Sequence, residues 1–486
     1  MKLRLAVFIV AIFTIAGCST LEIKSSSNLD NAHKTALLYE ELIEGKSPDT
    51  AQLTLFFSNM PKGGDLHNHY SGSIYAETYL DWVKDAGYWI DKNTLYISKA
   101  TTDSSICVDE LRSDNKLYRK LLTLWSDKDY QNHYHLQPPP DANFFNTFSY
   151  FGPISQHYNK GLMILKDRAI KENVGFIELM LKSVGYSYSD KEFNENFDEK
   201  IRKAADNEAV SLLLDVMSSR IDADNTFKES VYGFIKTVEE AHKGVDDDQF
   251  MMRYQTYASR NSSPSKVFSA LYSAFKAVDQ SDLLVGVNIV GPENGVVAIA
   301  DYNLHMQMFA YLKKKFPSVN KSLHAGELTL GMVRPKNLKF HISKAIHTAG
   351  AQRIGHGVDL PYEDNAIKLL QEIKEKSVIE ICFTSNEFIL GVKDNDHPYL
   401  IYSKYDVPIV ICTDDSGVSR NNLTGEYVLL AARYKPSYEK VKEYVYNSIK
   451  HSFFSKSDKN LLTDSLDARF EKFEAEMSGY SDLILK

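Results

Sequence analysis

The chain has 486 residues, of which 43% are hydrophobic and 12% aromatic, so it can bury a large core. Its formal net charge is -8, and it contains no long run of lysine or arginine. These features argue against a nucleic-acid-binding surface or an extended contact with an anionic membrane, and they favour a small polar ligand. Length by itself favours about three domains.

The N-terminal segment MKLRLAVFIVAIFTIAGC has the pattern of a secretory signal peptide, with a basic start, an apolar run and small residues before a cysteine. The apolar run is too short to span a bilayer comfortably, and an uncleaved membrane anchor is the alternative. The segment IAGC resembles the bacterial lipobox, which implies cleavage of residues 1–17 and attachment of lipid to Cys18. Ser19 follows this cysteine, and in Gram-negative lipoproteins a serine there suggests sorting to the outer membrane.

We therefore expect residues 18–30 to form a polar tether and residues 31–486 to form one domain. The lipid would be its only contact with the membrane. The protein would then lie in the bacterial cell envelope, facing the periplasm or the cell surface.

Short apolar runs recur from residue 65 onward, separated by longer amphipathic segments, which indicates alternating strands and helices. Continuous apolar runs are typical of strands buried on both faces of a parallel sheet. Strands are predicted over residues 65–69, 174–181, 250–258, 283–291, 321–326, 353–357, 377–385 and 407–415. Eight such units predict an α/β fold of the TIM type, a (β/α)8 barrel, in which sites form at the carboxyl ends of the strands.

The interval of about residues 75–173, between the first two strands, is longer than an ordinary crossover and predicts an insertion. Within it, GYWIDKNTLYI favours a small hairpin, and DANFFNTFSYFGP places four phenylalanines at helical spacing. Such an aromatic stripe favours core packing, although a segment inserted over a barrel mouth can also act as a lid. Extra helices are expected before the barrel, in HKTALLYEELIEG, and after Tyr438.

Polar residues occur at the ends of successive predicted strands, where a barrel would bring them to one face. They are His67, His69, Glu178, Gly291, His324, Glu327, His356, Ser385, Asn386, Asp414 and Asp415. One shared face implies one site and therefore one domain, against the three suggested by length.

His67 and His69 lie two residues apart on the first strand, so both side chains point to the same face and can share one metal ion. A hydrogen-bonded pair of core histidines is the alternative for these two residues alone. His324 and Asp414 complete a set of three imidazoles and one carboxylate, which suits zinc better than calcium or magnesium. The fourth predicted strand contains no lysine that could bridge two ions, so we expect one Zn²⁺ per chain.

The motifs MPKGGDLHNHYSG, SLHAGE, RIGHG, TSN and CTDDSG, in this order, resemble those of the adenosine and AMP deaminases over about residues 55–435. The resemblance is closest to the secreted, growth-factor-like branch and its bacterial lipoprotein relatives, within the metal-dependent amidohydrolase superfamily. It implies zinc-dependent hydrolysis of adenosine and 2′-deoxyadenosine to inosine and ammonia. Extracytoplasmic purine salvage would be the purpose, with a purine nucleoside as the small-molecule partner.

The resemblance also implies a role for each site residue. Zinc would be bound by His67, His69, His324 and Asp414. Glu327 would protonate purine N1, and His356 would orient and deprotonate the attacking water. Asp415 would form a hydrogen bond to N7, the backbone N–H of Gly291 would donate to N3, and His69 would also contact the substrate. From the residues alone, Glu327 and Asp415 could instead be helix-start carboxylates, His356 a core histidine and Gly291 a tight-turn residue.

Two positions depart from the family pattern and bear on the substrate. Ser71 stands where cytosolic adenosine deaminases have an aspartate associated with the ribose, and Pro292 replaces the aspartate of the usual GDE motif. Another 6-aminopurine is therefore an alternative substrate. Two further hypotheses for the function are a different amidohydrolase-type hydrolysis and a non-catalytic surface lipoprotein that binds nucleosides.

The lipobox predicts that Cys18→Ala abolishes labelling with a fatty acid and releases or misprocesses the protein, because the variant has no thiol to carry the lipid. Metabolic labelling followed by membrane fractionation measures both effects. Cys107→Ala, which removes a thiol far from the lipobox, is the control and should change neither. Unchanged labelling and fractionation of Cys18→Ala would contradict the lipobox.

Overall fold

The computed structural model describes residues 19–130 and 138–484. In chain order, its strands are β1 (Gly64–His69), β2 (Trp89–Asp91), β3 (Ile97–Ser98), β4 (Ser105–Ile106), β5 (Phe176–Met180), β6 (Met251–Ser259), β7 (Leu284–Val290), β8 (Asn320–Ala325), β9 (Arg353–His356), β10 (Val378–Ile381) and β11 (Ile409–Ile411). Eight of them, β1 and β5 to β11, form one sheet in which each strand pairs in parallel with the next. Helices surround this nearly closed barrel, and the predicted (β/α)8 fold is confirmed.

The helices follow the barrel strands, occupy the segment between β1 and β5, or lie before β1 and after β11. In chain order they are α1 (Ser19–Leu42), α2 (Thr50–Asn59), α3 (Tyr70–Ser73), α4 (Ala76–Asp85), α5 (Val108–Ser113), α6 (Asn115–Leu124), α7 (Pro140–Phe151), α8 (Tyr158–Lys171), α9 (Lys191–Arg202), α10 (Asn207–Ala223), α11 (Asn225–His242), α12 (Pro264–Val278), α13 (Val296–Lys315), α14 (His341–Lys344), α15 (Ala366–Lys376), α16 (Phe383–Leu390), α17 (Tyr399–Lys404), α18 (Leu423–Tyr434), α19 (Tyr438–His451) and α20 (Lys456–Ile484).

The barrel strands are buried on both faces, as their apolar runs predict. In β10 and β11 every residue is buried, and Glu380 is the only polar residue among them. The side chains that face the surrounding helices and those that face the barrel axis are therefore both removed from water, which is the burial pattern of a parallel sheet covered by helices.

The barrel closes through a single bridge between β1 and the segment that follows β11. Asn68 pairs in parallel with Asp414, whose backbone N–H donates to the carbonyl of His67 at 2.8 Å. The carbonyl of Asp414 accepts the N–H of His69 at 3.1 Å, and the amide of Asn68 donates to the Thr413 hydroxyl at 2.9 Å. Closure therefore joins the strand that carries the first two histidines to the aspartate of the last motif.

The segment between β1 and β5 contains helices α3 to α8 and a small antiparallel sheet. Strand β2 pairs with β3, as the hairpin prediction requires, and β4 adds a third strand on the other side of β2. The aromatic segment forms helix α7, in agreement with its predicted spacing.

Helices from both ends of the chain pack against each other beside the barrel. The ring of Tyr39 in α1 lies 6.0 Å from that of Tyr438, and the ring of Phe56 in α2 lies 5.3 Å from that of Phe473 in α20. Helix α1 begins at Ser19, so the described part of the expected tether is helical. The signal peptide and Cys18 lie outside the described residues, and among the described helices none has the length and apolarity needed to cross a membrane.

The last two barrel strands are shorter than predicted. Strand β10 ends at Ile381, and the motif residues Ser385 and Asn386 lie in the first half of α16 rather than in a strand. The carboxylate of Glu426 in α18 accepts the backbone N–H of Thr384 at 3.3 Å, which stabilises the start of this helix. This partner comes from a distant part of the chain, so the local pattern could not reveal it.

The position predicted for Glu178 is wrong. Glu178 lies in the middle of β5, fully buried, and accepts a hydrogen bond from Arg353 Nη1 at 2.6 Å. Because Arg353 is the first residue of β9, this contact points toward the amino ends of the strands. Glu178 is thus a hydrogen-bond partner within the barrel, away from the carboxyl ends of the strands.

Candidate active site

Three histidines and one aspartate converge at the carboxyl ends of the barrel strands. His67 and His69 come from β1, His324 from β8, and Asp414 follows β11. Their four ligand atoms lie within 4.8 Å of one another. Asp414 Oδ1 lies 3.3 Å from Nε2 of both His67 and His69, and Nε2 of His69 and His324 are 3.1 Å apart.

The electrostatics of this group favour a cation at its centre. Burial lowers the pKa of His69 to about 4 and that of His324 well below its usual value, and the neighbouring histidines add to both shifts. Both rings are therefore neutral, the form that binds metals. Burial lowers the pKa of His67 too, but the carboxylates of Asp414 and Glu380 raise it to about 10, so these carboxylates favour a positive charge at this ring.

These residues fit a divalent metal ion. Nε2 of His67 is buried and has no hydrogen-bond partner among the described atoms, although it faces the other three side chains. A buried polar atom without a partner is costly unless something binds it. Three imidazoles and one carboxylate form a donor set suited to such an ion.

A second layer of polar side chains holds three of the four potential ligands. Glu380 Oε2 lies 2.8 Å from His67 Nδ1, and Asn288 Oδ1 lies 2.9 Å from His324 Nδ1. The hydroxyl of Ser385 donates to Asp414 Oδ2 at 2.7 Å. Such partners orient imidazole ligands and are part of a metal site.

Sequence reasoning assigned no role to Glu380 or Asn288. A signal existed, because each is a lone polar residue inside an otherwise apolar strand, VIEI or LVGVNIV. Glu380 also forms an ion pair with Arg353 at 2.6 Å, so the support of His67 continues to the residue that binds Glu178.

Backbone geometry at the site is unusual in two places. His356 has φ of 71° and Asp414 has φ of 62°, in the left-handed region that residues other than glycine rarely adopt. Strain of this kind is concentrated at functional sites, where the surrounding structure enforces it. Beside His356, Gly355 leaves space for a ring, because a Cβ there would lie 2.7 Å from Cε1 of His67.

A second group of titratable residues shares Asp414 with the first. Potential ligand atoms of Glu327, His356 and Asp414 lie within 4.8 Å of one another. His356 Nε2 is 3.7 Å from Glu327 Oε1 and 3.9 Å from Asp414 Oδ2. Asn386 Oδ1 lies 2.9 Å from Nδ1 of His356, so Asn386 orients this ring.

The pKa values of the carboxyl groups of Glu327 and Asp415 are both raised. Burial is the main cause that raises the pKa of Glu327, and the charges of Asp414 and Glu293 raise it further. Burial and the charge of Asp414 raise the pKa of Asp415 well above its usual value. Oδ1 of Asp415 is buried without a hydrogen-bond partner among the described atoms, next to Gly72, where any Cβ would clash with it.

One cavity of about 170 Å³ opens onto both groups. Its lining consists of His69, Ser71, Phe144, Phe145, Phe148, Tyr257, Val290, Gly291, His324, Glu327, His356, Asp414 and Asp415. Gly291 directly follows β7 and has φ of 95°, a conformation that favours glycine. The aromatic stripe of α7 is therefore more than core packing, because three of its phenylalanines form a wall of the cavity.

Comparison with known proteins agrees with this geometry. The family model for adenosine deaminase matches residues 214–469 of the chain. The adenosine deaminase of Enterococcus faecalis is 34% identical over 154 residues, which is 32% of this chain and 42% of that protein. The chain spans about half the length of the curated relatives it matches.

Solved structures share the fold at low sequence identity. The crystal structure of Arabidopsis ADAL complexed with IMP has a TM-score of 0.56 and 18% identity, covering 86% of this chain and 99% of ADAL. An amidohydrolase from Burkholderia ambifaria with bound Zn has a TM-score of 0.53 and 13% identity, covering 88% of this chain and 94% of the other.

The (β/α)8 barrel brings three histidines and one aspartate, a group suited to a divalent metal ion, together at its strand ends. The family model covers more than half of the sequence, from residue 214 to residue 469. The chain belongs to the adenosine deaminase family.

Gly355 lies against the ring of His67, so a larger residue at this position should weaken metal binding. In Gly355→Ala the new Cβ would displace the ring of His67, and metal affinity should fall about 10- to 100-fold, as for changes in the support of other metal ligands. Metal content after dialysis against a graded series of chelator concentrations measures the loss. Gly233→Ala in α11, where a Cβ meets nothing within 4 Å, is the control and should bind metal normally. Equal metal retention by both variants would show that this contact does not matter.

Proposed function

We propose that this protein is a zinc-dependent hydrolase that deaminates adenosine and 2′-deoxyadenosine to inosine and ammonia. The observation that carries the proposal is the sharing of Asp414 by two residue groups at one cavity. One group suits a metal ion, and the other places an acid, Glu327, and a base, His356, beside it.

The cavity lining supports a purine nucleoside as substrate. Three phenylalanines and Tyr257 provide aromatic surface for a flat heterocycle. Among the described lining residues there is no lysine or arginine, which favours a neutral nucleoside over a phosphorylated one. The curated relatives are adenosine deaminases, whereas ADAL was crystallised with the nucleotide IMP. We therefore choose between a nucleoside and a nucleotide substrate by the charge of the cavity lining.

Zinc is the metal we propose, because three imidazoles and a carboxylate suit it and because the Burkholderia amidohydrolase contains Zn. Held by His67, His69, His324 and Asp414, the ion would act as a Lewis acid that makes water nucleophilic near neutral pH.

The protein's own residues would then complete the reaction at C6. His356 Nε2, which is buried and faces Glu327 and Asp414, would orient the attacking water and accept its proton. Glu327, whose raised pKa favours the carboxylic acid, would give a proton to purine N1. The proton accepted by His356 would then pass to the 6-amino group, which leaves C6 as ammonia, and the proton of the new C6 hydroxyl would return to Glu327.

Three residues would set the position of the purine, and a fourth would contact the sugar. Asp415, with its raised pKa and unpartnered Oδ1, would donate a hydrogen bond to N7. The backbone N–H of Gly291 would donate to N3, and His69 would contact the ring from the metal side. Ser71 lines the same cavity and is the side chain we propose for contact with the sugar.

We also propose an extracytoplasmic location, with the protein held to the cell envelope by lipid on Cys18. The support for this is the sequence of the N-terminal segment. Salvage of purine nucleosides outside the cytoplasm would follow.

Purified, zinc-loaded protein should convert the ultraviolet spectrum of adenosine to that of inosine, with release of ammonia. A panel of adenosine, 2′-deoxyadenosine, AMP, adenine, cytidine and a cyclic amide tests the substrate class. Turnover of both nucleosides above that of AMP is expected from the uncharged cavity lining. A folded, zinc-loaded protein that left every 6-aminopurine unchanged would refute the proposal, and hydrolysis of the cyclic amide alone would point to another reaction.

Glu327→Gln separates proton donation from metal binding. Glutamine keeps the size of the side chain but cannot supply a carboxylic proton, so kcat should fall about 10²- to 10⁴-fold while zinc content stays normal. His67→Ala should instead reduce zinc content and activity together, because it removes a proposed ligand. Metal analysis and steady-state kinetics of both variants provide the measurement. Near-normal turnover of Glu327→Gln at full zinc occupancy would remove Glu327 from the mechanism.

A further inference from the structure

A buried carboxylate behind the cavity binds the backbone that carries Glu327. Glu293, in the segment after β7, is 1% exposed and does not line the cavity. Its Oε2 accepts the backbone N–H of Glu327 at 2.8 Å, and its Oε1 accepts that of Gly326 at 3.2 Å. Both oxygens of one side chain therefore hold two successive amides of the HAGE motif.

The local backbone explains why these amides need a partner. Gly326 has φ of 79°, so the chain turns sharply as it leaves β8. A Cβ at this position would lie 2.4 Å from Oδ1 of Asp359, which leaves little freedom for any other residue. The turn removes the two amides from the sheet, and in a buried place they require an acceptor.

Arg260 holds the same turn from the other side. This residue follows β6, is 1% exposed, and its Nη2 donates to the carbonyls of His324 at 3.1 Å and Ile289 at 2.9 Å. Its Nη1 lies 3.6 Å from Glu293 Oε1. Arg260 and Glu293 thus contact the backbone on both sides of Ala325.

His341 completes the cluster. Its Nδ1 lies 2.5 Å from Glu293 Oε1, and its ring stacks on that of Tyr302 with centroids 3.7 Å apart. The hydroxyl of Tyr302 donates to the carbonyl of His341 at 2.7 Å. These contacts fix the position of the Glu293 side chain without any contact with the cavity.

Glu293 remains ionised in this cluster. Burial alone would raise its pKa, but the charge of Arg260, the contact with His341 and the amide of Glu327 lower it to about 2. An ionised acceptor makes stronger hydrogen bonds to backbone amides than a neutral one.

We propose that Glu293 is a positioning residue that sets the place of the Glu327 carboxyl group through the backbone of residues 326 and 327. The proposal rests on the proposed role of Glu327 as proton donor. Glu293 would act on turnover and not on substrate binding, because it touches the turn but not the cavity.

The test is Glu293→Gln in the full chain with its metal bound. Glutamine replaces one carboxylate oxygen with an NH₂ group, which cannot accept a hydrogen bond from the backbone N–H groups of residues 326 and 327. The turn should therefore loosen, and kcat should fall about 10- to 100-fold, with KM and metal content nearly unchanged. Hydrogen exchange of the peptide that contains residues 323–330 should accelerate. In a Glu327→Gln background, Glu293→Gln should change kcat by less than about twofold, because the effects of substitutions at residues that act together are not additive.

Asp246→Asn is the matched control. Asp246 accepts the N–H of Met252 at 2.8 Å and binds Arg253 at 2.7 Å, which is the same chemistry at the opposite end of β6. The Asp246→Asn substitution should leave kcat and the hydrogen exchange of residues 323–330 unchanged. If Glu293→Gln does not fold, His341→Ala serves instead and should give a smaller loss of the same kind, since it removes one contact of Glu293.

The outcomes separate this inference from the proposed function. Wild-type protein without deaminase activity refutes the function, whereas faster exchange in Glu293→Gln would still support the positioning of the turn. Unchanged exchange overturns the inference whether or not the wild type is active. With an active wild type, unchanged kcat, a change confined to KM, or full additivity with Glu327→Gln also overturns it.

Discussion

The site depends on the closure of the barrel between its first and last strands. The backbone of Asp414 exchanges hydrogen bonds with the backbones of His67 and His69, so three of the four potential metal ligands are fixed by the contact that closes the sheet. Asp414 adopts φ of 62° to make this contact and to direct its carboxylate toward the histidines. Any change that loosened the closure would separate the ligands, which couples the stability of the fold to the integrity of the site.

Fixed ligands alone would leave several buried charges without support. Glu380, Asn288 and Ser385 each bind the outer atom of one ligand, and Arg353 balances the charge of Glu380. Buried charges are tolerated only when they are paired and hydrogen-bonded. His67, His324 and Asp414 can therefore be buried together in the barrel because these partners bind them. The Glu293 cluster extends the same principle to Glu327, with the difference that it holds backbone amides instead of a side chain.

The insertion after β1 supplies the apolar part of the cavity. Helix α7 directs three phenylalanines toward the polar strand ends, and its Asp141 accepts a hydrogen bond from Asn294, in the segment after β7, at 3.1 Å. The polar chemistry thus comes from the barrel, while most of the hydrophobic surface that would contact a heterocycle comes from the inserted helix.

The sequence by itself predicted the barrel, most strand positions, the order of the motifs and eight of the residues proposed for the site. It could do so because burial on both faces leaves a continuous apolar run in each strand, and because motif residues follow these runs directly. Only the tertiary structure decided where β10 ends, where Glu178 points, and that Glu380, Asn288, Asn386 and Glu293 support the site. It also decided that α7 lines the cavity. These features arise from contacts between residues far apart in the chain, and a local pattern of apolar and polar residues contains no information about which distant partner a buried polar group will meet.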